Sequence, residues 1–290
     1  MNFKITELSD KAITEPYIAA AAPIGSHQNF TNNYIWQESY HIEYTISDDM
    51  LVFKGRHHRQ NPYYLFPMGS ADPLPALKNI IAYANDNGYK CVFANLTNNE
   101  ADFIEKNFSG RFTFEEHRHS EDYVYEVSKL ISLSGKKLHS KKNHLNKFLK
   151  TYNYVYSDIN PENIETARNF CLSMLDAYSD REEEKLSVNK LFDAYEELAL
   201  DGAIIFVDGN PVAVTAGEPL NDDTVLIHLE KADESYAGSY AAINNLFLKN
   251  KYSDFRFVNR EEDMGIEGLR RAKLSYRPYR MIEKIIAIEI

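Results

Sequence analysis

Apolar positions recur along the second half of the chain with two periods, one of two residues and one of three to four. The shorter period is typical of strands and occurs at residues 152–159, 203–207, 211–218, 223–232, 254–259 and 280–290. The longer period is typical of helices and occurs at residues 161–180, 187–200, 238–250 and 259–278. Asp208-Gly209-Asn210 marks a hairpin between two of the strands. The predicted order is β α α β β β α β α β.

The first half of the chain has the same order of elements. Strand patterns lie at residues 3–5, 40–47, 50–55, 62–67, 89–96, 112–116 and 122–127, and helix patterns at 12–21, 32–38, 73–88 and 98–108. This recurrence predicts two copies of one mixed α/β unit, and 290 residues are enough for two cores. We expect an N-terminal domain at residues 1–128 and a C-terminal domain at 151–290, joined by a basic helix at 129–150.

The joining segment concentrates positive charge in an otherwise acidic protein. The net charge of −11 argues against a general DNA- or RNA-binding protein, yet residues 129–150 carry seven Lys and no acid. An apolar stripe beside the lysines predicts an amphipathic helix. Its cationic face is either a solvated bridge or a site for an anionic substrate: a tRNA acceptor stem, an acidic headgroup, or an anionic peptide or metabolite. The lysines singled out for such a site are Lys136, Lys141, Lys142 and Lys147.

Compartment and metal content follow from simpler features. No apolar run approaches the ~18 residues needed to span a bilayer, and the N-terminus lacks the features of a signal peptide. We therefore expect a cytosolic protein. Cys91 and Cys171 lie far apart in apolar contexts, which is typical of reduced, buried thiols. The nine His show no metal-ligand spacing, so we expect no metal.

Residues 259–278 combine three acids, two glycines and a block of bases. In a helix, Glu261, Glu262 and Asp263 would lie at the positive end of the dipole. The dipole does not explain Gly265 and Gly268, each of which costs about 1 kcal/mol against alanine inside a helix. We expect a close approach to that backbone, by a neighbouring strand or by a ligand.

The element order is similar to the acyl-CoA N-acyltransferase (GNAT-like) fold, here in tandem. The tandem form resembles the Fem-type peptidyltransferases and the C-terminal catalytic region of phosphatidylglycerol lysyltransferases. "LSGKKLHSKKNHLNKF" at residues 133–148, "INNLF" at 243–247 and "VNREEDMGIEGLRRAKLSYRP" at 258–278 resemble the bacterial family named after that region. The resemblance implies acyl-CoA or aminoacyl-tRNA as the donor. Nothing in this sequence matches the membrane-embedded portion of the lysyltransferases proper, so lipid aminoacylation does not follow from the resemblance.

The resemblance also implies where the donor binds. In this fold the fourth strand diverges from the fifth, and the donor's phosphates rest on amides at the start of the next helix. That turn is "ESYAGSYAAIN" at residues 234–244, in which Gly238, Ser239 and Tyr240 are candidates for donor binding. The glycine-rich signature of the superfamily is incomplete here, so an ordinary helix cap is the alternative. Asn259, Gly265 and Gly268 complete the donor-binding prediction.

Candidate catalytic groups lie on the strand before that turn. Alternation places His228 and Glu230 on one face, and either could act as a general base for an attacking amine. The alternative is a polar outer face of a sheet covered on one side only. Glu218, Asn259 and Tyr276 are weaker candidates, and the resemblance implies that Tyr276 matches the position where some members of the superfamily keep a general acid.

Two functions follow from these predictions. The first is transfer of an acyl or aminoacyl group from acyl-CoA or aminoacyl-tRNA to an amine or hydroxyl acceptor, such as a lipid headgroup, a peptide or a small molecule. The second is a non-catalytic protein that binds an anionic ligand and retains the acyltransferase fold.

Overall fold

A computed structural model describes residues 1–57, 60–176 and 181–290. The strands are β1 (Lys4–Ile5), β2 (Glu43–Ser47), β3 (Met50–Gly55), β4 (Tyr63–Tyr64), β5 (Val92–Leu96), β6 (Phe112–Glu116), β7 (Asp122–Glu126), β8 (Tyr154–Asp158), β9 (Asp201–Val207), β10 (Asn210–Pro219), β11 (Thr224–Ala232), β12 (Phe257–Asn259), β13 (Arg280–Ile282) and β14 (Ile285–Glu289). The helices are α1 (Lys11–Ala21), α2 (Phe30–Ile35), α3 (Gln37–Tyr40), α4 (Pro73–Asp86), α5 (Asn98–Asn107), α6 (Val127–Ser132), α7 (His139–Thr151), α8 (Ile164–Asp176), α9 (Glu182–Asp193), α10 (Ser239–Lys251) and α11 (Glu267–Ser275).

Two mixed sheets organise these elements. Within the described residues, the first sheet has the order β1-β2-β3-β4-β5-β14-β6 and the second β13-β7-β12-β11-β10-β9-β8. The chain divides into two compact units: Met1–Asp122 with Ile282–Ile290, and Tyr123–Met281. We call these the first and the second unit. The predicted α/β composition of both halves is confirmed.

Each half of the chain contributes its last strand to the other sheet. β7 ends the N-terminal half but pairs with β12 in the second sheet. β14 ends the C-terminal half but lies between β5 and β6 in the first sheet. The prediction of one strand at residues 280–290 is wrong, because β13 and β14 belong to different sheets.

A buried lysine of the first unit, Lys284, lies in the short segment between β13 and β14. The side chain of Lys284 is 1% exposed, and its ammonium lies 3.2 Å from the carboxylate of Asp122. That carboxylate also accepts hydrogen bonds from the backbone N–H and the hydroxyl of Ser26, at 2.7 and 2.8 Å. The buried charge is therefore paired, as burial at this depth requires.

The core of the first unit follows from periodicity and capping. The apolar stripe of α4 buries Leu77, Ile80 and Ile81 completely or nearly so, and they pack with Phe93 of β5. α4 begins where the Asp72 side chain accepts the Leu74 N–H at 3.0 Å. A capping box between Thr97 and Glu100 starts α5.

The core of the second unit joins the basic helix to the sheet. Leu145 and Phe148 of α7 are buried in the same cluster as Tyr125 of β7 and Phe247 of α10. The predicted apolar stripe is therefore confirmed as the packed side of an amphipathic helix.

The strands β11 and β12 separate soon after they meet. They pair in parallel only at Thr224–Phe257, Val225–Val258 and Leu226–Asn259. β11 continues to Ala232, whereas the chain leaves β12 at Asn259. The predicted divergence of the fourth and fifth strands is present, and His228 and Glu230 of β11 lie beyond the last paired position.

Candidate functional site

His228 lies between two carboxylates in the gap where β11 and β12 diverge. Its Nε2 is 2.9 Å from Oε1 of Glu218 on β10, and its Nδ1 is 3.4 Å from Oε1 of Glu261. The His228 side chain is fully buried. Burial disfavours the charged ring, but the hydrogen bonds to Glu218 and Glu261 outweigh it and raise the pKa of His228 to about 9. At neutral pH the ring is therefore an imidazolium, which has no free lone pair to accept a proton.

Glu230 forms the second charge pair across the same gap. Its Oε1 accepts a hydrogen bond from Nη2 of Arg260 at 2.6 Å, and its Oε2 accepts one from Nδ2 of Asn244 at 3.1 Å. The side chains of Glu230 and Arg260 are each 11% exposed. The alternative prediction of a solvated outer face is therefore wrong, since the His228 side chain is fully buried and that of Glu230 nearly so.

Arg260 and Lys141 lie over the ring of Tyr276. The guanidinium carbon of Arg260 is 5.2 Å from the ring centroid, and the ammonium of Lys141 is 4.4 Å from it. Burial raises the pKa of Tyr276 to about 12, with the positive charge of Arg260 acting weakly in the opposite direction. Burial, aided by the charge of Arg260, lowers the pKa of Lys141.

A buried lysine fixes the loop that carries Arg260 and Glu261. The Lys273 ammonium donates to the carbonyl oxygen of Arg260 at 2.6 Å, to that of Glu261 at 3.2 Å and to that of Glu262. The Oδ1 of Asn259 accepts the Glu261 N–H at 2.8 Å. Asn259 is therefore fully buried and holds the turn rather than facing an open cleft.

Asp263 anchors the far end of this loop. Its carboxylate accepts hydrogen bonds from the Tyr123 hydroxyl at 2.6 Å, from Nε of Arg270 at 2.9 Å and from the Gly265 N–H at 2.9 Å. Burial opposes ionisation, but the bonds from Arg270 and Tyr123 outweigh it and hold the pKa of Asp263 well below its usual range.

The predicted helix at residues 259–278 is shorter than expected. α11 begins at Glu267, so Glu261, Glu262 and Asp263 lie in the preceding loop and not in its first turn. The placement of these acids at the helix dipole is therefore wrong. Their burial and pairing compete with helix formation, because Asp263 hydrogen-bonds the backbone in a turn.

The two glycines of this segment have different surroundings from those predicted. Gly265 has a φ of 75°, which favours glycine. A Cβ added to Gly268 would meet no atom of the described residues within 4 Å, and the residue is exposed. The predicted close approach of a neighbouring strand to Gly268 is wrong, and the alternative of a ligand there stays a prediction.

The start of α10 is closed by a neighbouring helix. Gly238 has a φ of 93°, and a Cβ there would lie 2.2 Å from the carbonyl oxygen of His144 in α7. The Ser239 N–H donates to the Tyr236 carbonyl at 3.0 Å, and its hydroxyl donates to the Asp233 carbonyl at 2.8 Å. Close packing and turn geometry therefore explain Gly238 and Ser239, as in the predicted alternative of a helix cap. Tyr240 is 38% exposed.

The lysines predicted to bind an anion divide into two groups. Lys136, Lys142 and Lys147 are exposed, whereas Lys141 is half-buried against Tyr276. In the described part of the chain, none of the four forms an ion pair. Only Lys141 therefore connects the basic helix to the charged gap.

Sequence reasoning missed Arg260, Asn244, Glu261 and Lys273 as members of the site. Arg260 follows directly after the predicted end of a strand, and Asn244 lies within the family motif "INNLF". These positions could have identified both residues as members of the site. The role of Lys273 had no such signal, because its partners are backbone carbonyls.

Metal and membrane features are absent from the described ranges. Residues 1–57, 60–176 and 181–290 contain no group of three or more His, Cys, Asp or Glu arranged to hold a metal ion. No helix in those ranges is both long and apolar enough to cross a bilayer.

Comparison with known proteins places this arrangement in a family. The sequence profile described as phosphatidylglycerol lysyltransferase, C-terminal, matches residues 19–288. The chain belongs to this family. An uncharacterized protein of Mycoplasmoides gallisepticum is 30% identical to this family member over 177 residues. The match spans 59% of the chain and 56% of that protein, so it covers just over half of the relative's length.

Solved structures show the same fold as this family member. A conserved protein of unknown function from Bacteroides thetaiotaomicron is 33% identical with a TM-score of 0.95, covering 100% of both chains. The C-terminal domain of a putative lysylphosphatidylglycerol synthetase from Agrobacterium fabrum is 11% identical with a TM-score of 0.67, covering 98% of this chain and 93% of that one. FemX is 8% identical with a TM-score of 0.65, covering 100% and 98%. The predicted tandem GNAT-like, Fem-type fold is confirmed.

Proposed function

We propose that this protein transfers an acyl or aminoacyl group from acyl-CoA or aminoacyl-tRNA to an amine or hydroxyl acceptor. Family membership and fold support the class of reaction. The observation that carries the proposal for this chain is the Tyr276 hydroxyl. It has no hydrogen-bond partner among the described residues, although the phenol is only 8% exposed and two cations lie over its ring.

Acyl transfer requires a proton for the leaving oxygen or sulfur and an acceptor for the proton of the attacking group. A phenol with a pKa of about 12 is fully protonated at neutral pH and can donate to a leaving alkoxide. We assign this role to Tyr276. Of the two predicted bases, Glu230 remains the candidate, because the imidazolium of His228 has no free lone pair.

The second candidate function is ligand binding without turnover. The observation that favours it is that both predicted bases are already bonded: Glu230 to Arg260 and Asn244, and His228 to Glu218 and Glu261. Proton acceptance by Glu230 would use a lone pair that these two bonds leave free, and it would weaken the ion pair with Arg260. In a protein that has lost turnover, these bonds would persist when the ligand binds.

Group transfer is tested with purified protein, acetyl-CoA or a charged tRNA pool, and a panel of amine and hydroxyl acceptors. Mass spectrometry of the acceptors should detect donor-dependent addition. Replacing Tyr276 with Phe should lower kcat by about 10²–10⁴-fold, with little change in KM, because the substitution removes only the hydroxyl.

Tyr279→Phe is the matched control, since Tyr279 is 54% exposed and lies three residues from Tyr276. That variant should retain wild-type kcat. Stabilisation by a donor without transfer to any acceptor would favour the binding function instead. A fully active Tyr276→Phe protein would remove Tyr276 from the mechanism.

A further inference from the structure

Lys141 is a cation of α7 that lies over the Tyr276 ring, beside the charged gap of the second unit. It is half-buried beside Arg260 and forms no ion pair with any described residue. The other lysines of α7 are exposed, where water solvates their charge. A half-buried ammonium without a counter-ion loses part of that solvation, and a bound anion would compensate the loss.

The neighbouring guanidinium is also incompletely paired. Nη2 of Arg260 donates to Glu230, but Nη1 is buried and has no hydrogen-bond partner among the described residues. Arg260 is thus paired with Glu230, whereas Lys141 has no ion-pair partner among the described residues. Both cations lie over the Tyr276 ring, and the pKa of Lys141 is lowered by burial and, in addition, by repulsion from Arg260.

Lys141 is held at this position by packing rather than by charge. Its ammonium lies over the Tyr276 ring, and α7 is fixed through the buried Leu145 and Phe148. The close approach of α7 to Gly238 anchors the same helix against α10. The cation is thus presented from a rigid element toward the gap between β11 and β12.

From this geometry we infer that Lys141 binds a phosphate group of the substrate, with the positive charge of Arg260 nearby over the same ring. The contact group is the Lys141 ammonium, which offers up to three N–H donors to phosphate oxygens. A phosphate carries enough negative charge to neutralise Lys141 and part of Arg260. The inference rests on the proposed function for its biological role, but binding can be measured without turnover.

The phosphate could belong to a nucleotide of the donor or to the headgroup of an acceptor, and two probes separate these sources. Adenosine 3′,5′-bisphosphate represents the nucleotide of an acyl-CoA donor, and glycerol 1-phosphate represents a headgroup. Acetate serves as the carboxylate probe. Isothermal titration calorimetry on the full-length protein measures the affinity for each.

Lys141→Met should weaken binding of the preferred phosphate probe at least tenfold, because a charge-assisted hydrogen bond is removed. Lys150→Met is the matched control, since Lys150 is an exposed lysine of the same helix. That control should change the affinity less than twofold. Tyr276→Phe retains the aromatic ring under Lys141, so it should bind phosphate within twofold of wild type even where turnover is lost.

Three outcomes would overturn the inference: binding of neither phosphate probe, equal losses in Lys141→Met and Lys150→Met, or tighter binding of acetate than of phosphate. Circular dichroism of each variant excludes misfolding as the cause of a loss. Phosphate binding that depends on Lys141 in a protein without transfer activity would support the inference and contradict the proposed function. Failure of the phosphate-binding inference and failure of the proposed transfer function are therefore distinguishable.

Discussion

The His228 side chain is protonated although it is fully buried. Glu218 lies on the neighbouring strand, and Glu261 lies 33 positions later on the loop after β12. Each carboxylate accepts from one ring nitrogen, so protonation of the ring is favoured despite burial. The same residue that alternation marked as a base thereby becomes a fixed positive charge that links three elements.

This linkage predicts a pH-dependent stability. The folded-state pKa of His228 is raised to about 9 from an ordinary value of 6.5. Its contribution is fully present below pH 6.5 and is lost as the pH rises through about 9. The free energy of unfolding, measured by urea denaturation, should therefore fall by a few kcal/mol, on the order of the shift multiplied by 1.4 kcal/mol per unit.

His228→Gln should flatten that fall, whereas His144→Gln, at an exposed position of α7, should preserve it. A wild-type profile that stays level between pH 6.5 and 9 would contradict the assignment of an imidazolium. So would a His228→Gln profile that declines as steeply as wild type.

Two glycines at the starts of helices in the second unit have opposite surroundings. Gly238 precedes α10 with a positive φ, and its α-carbon faces the backbone of α7. Gly268 lies in the first turn of α11 with open space around it. Packing of α10 against α7 requires a glycine at position 238, whereas no described neighbour requires one at position 268.

Substitution by alanine should separate the two positions. Gly268→Ala should raise the free energy of unfolding by up to about 1 kcal/mol, because it removes backbone freedom from the unfolded chain. Gly238→Ala should lower it by more than about 1 kcal/mol, since the added Cβ clashes with the His144 carbonyl at a left-handed φ. Thermal and urea denaturation provide both values. A destabilised Gly268→Ala protein would show that something occupies the space beside α11.

The first unit combines the N-terminal part of the chain with the final strand β14. β14 fills the position between β5 and β6, where Ala287 is fully buried and the Glu289 carboxylate accepts the Cys91 N–H at 2.9 Å. Without β14, the first sheet would expose two inner strand edges to solvent. The first unit therefore depends on residues from the end of the chain.

A fragment of residues 1–122 should accordingly lack a cooperative unfolding transition on its own. Addition of a peptide of residues 282–290 should restore one, detected by calorimetry and by protection of amides in β5 and β6. The same peptide with Ala287→Asp is the control, because it places a charge at a fully buried position. Cooperative unfolding of the fragment without peptide would contradict this dependence.

Local sequence determined most elements of this protein. Period and turn residues predicted the hairpin of β9 and β10, the strand β11, and the apolar stripe of α7 with Leu145 and Phe148. These signals span a few residues, and the same few residues form the element. Motifs in the basic segment and near the C-terminus were sufficient for the family and, through it, for the tandem fold.

Tertiary structure decided the pairing of charges and the placement of the last strand. Nothing near His228 in sequence shows that Glu218 and Glu261 enclose it, and nothing in residues 280–290 shows that they divide between two sheets. Both outcomes depend on which distant segments meet and how much water they exclude. The protonation state of a buried group and the partner of a strand are set by that surrounding structure, whereas helical and strand periods are set along the chain itself.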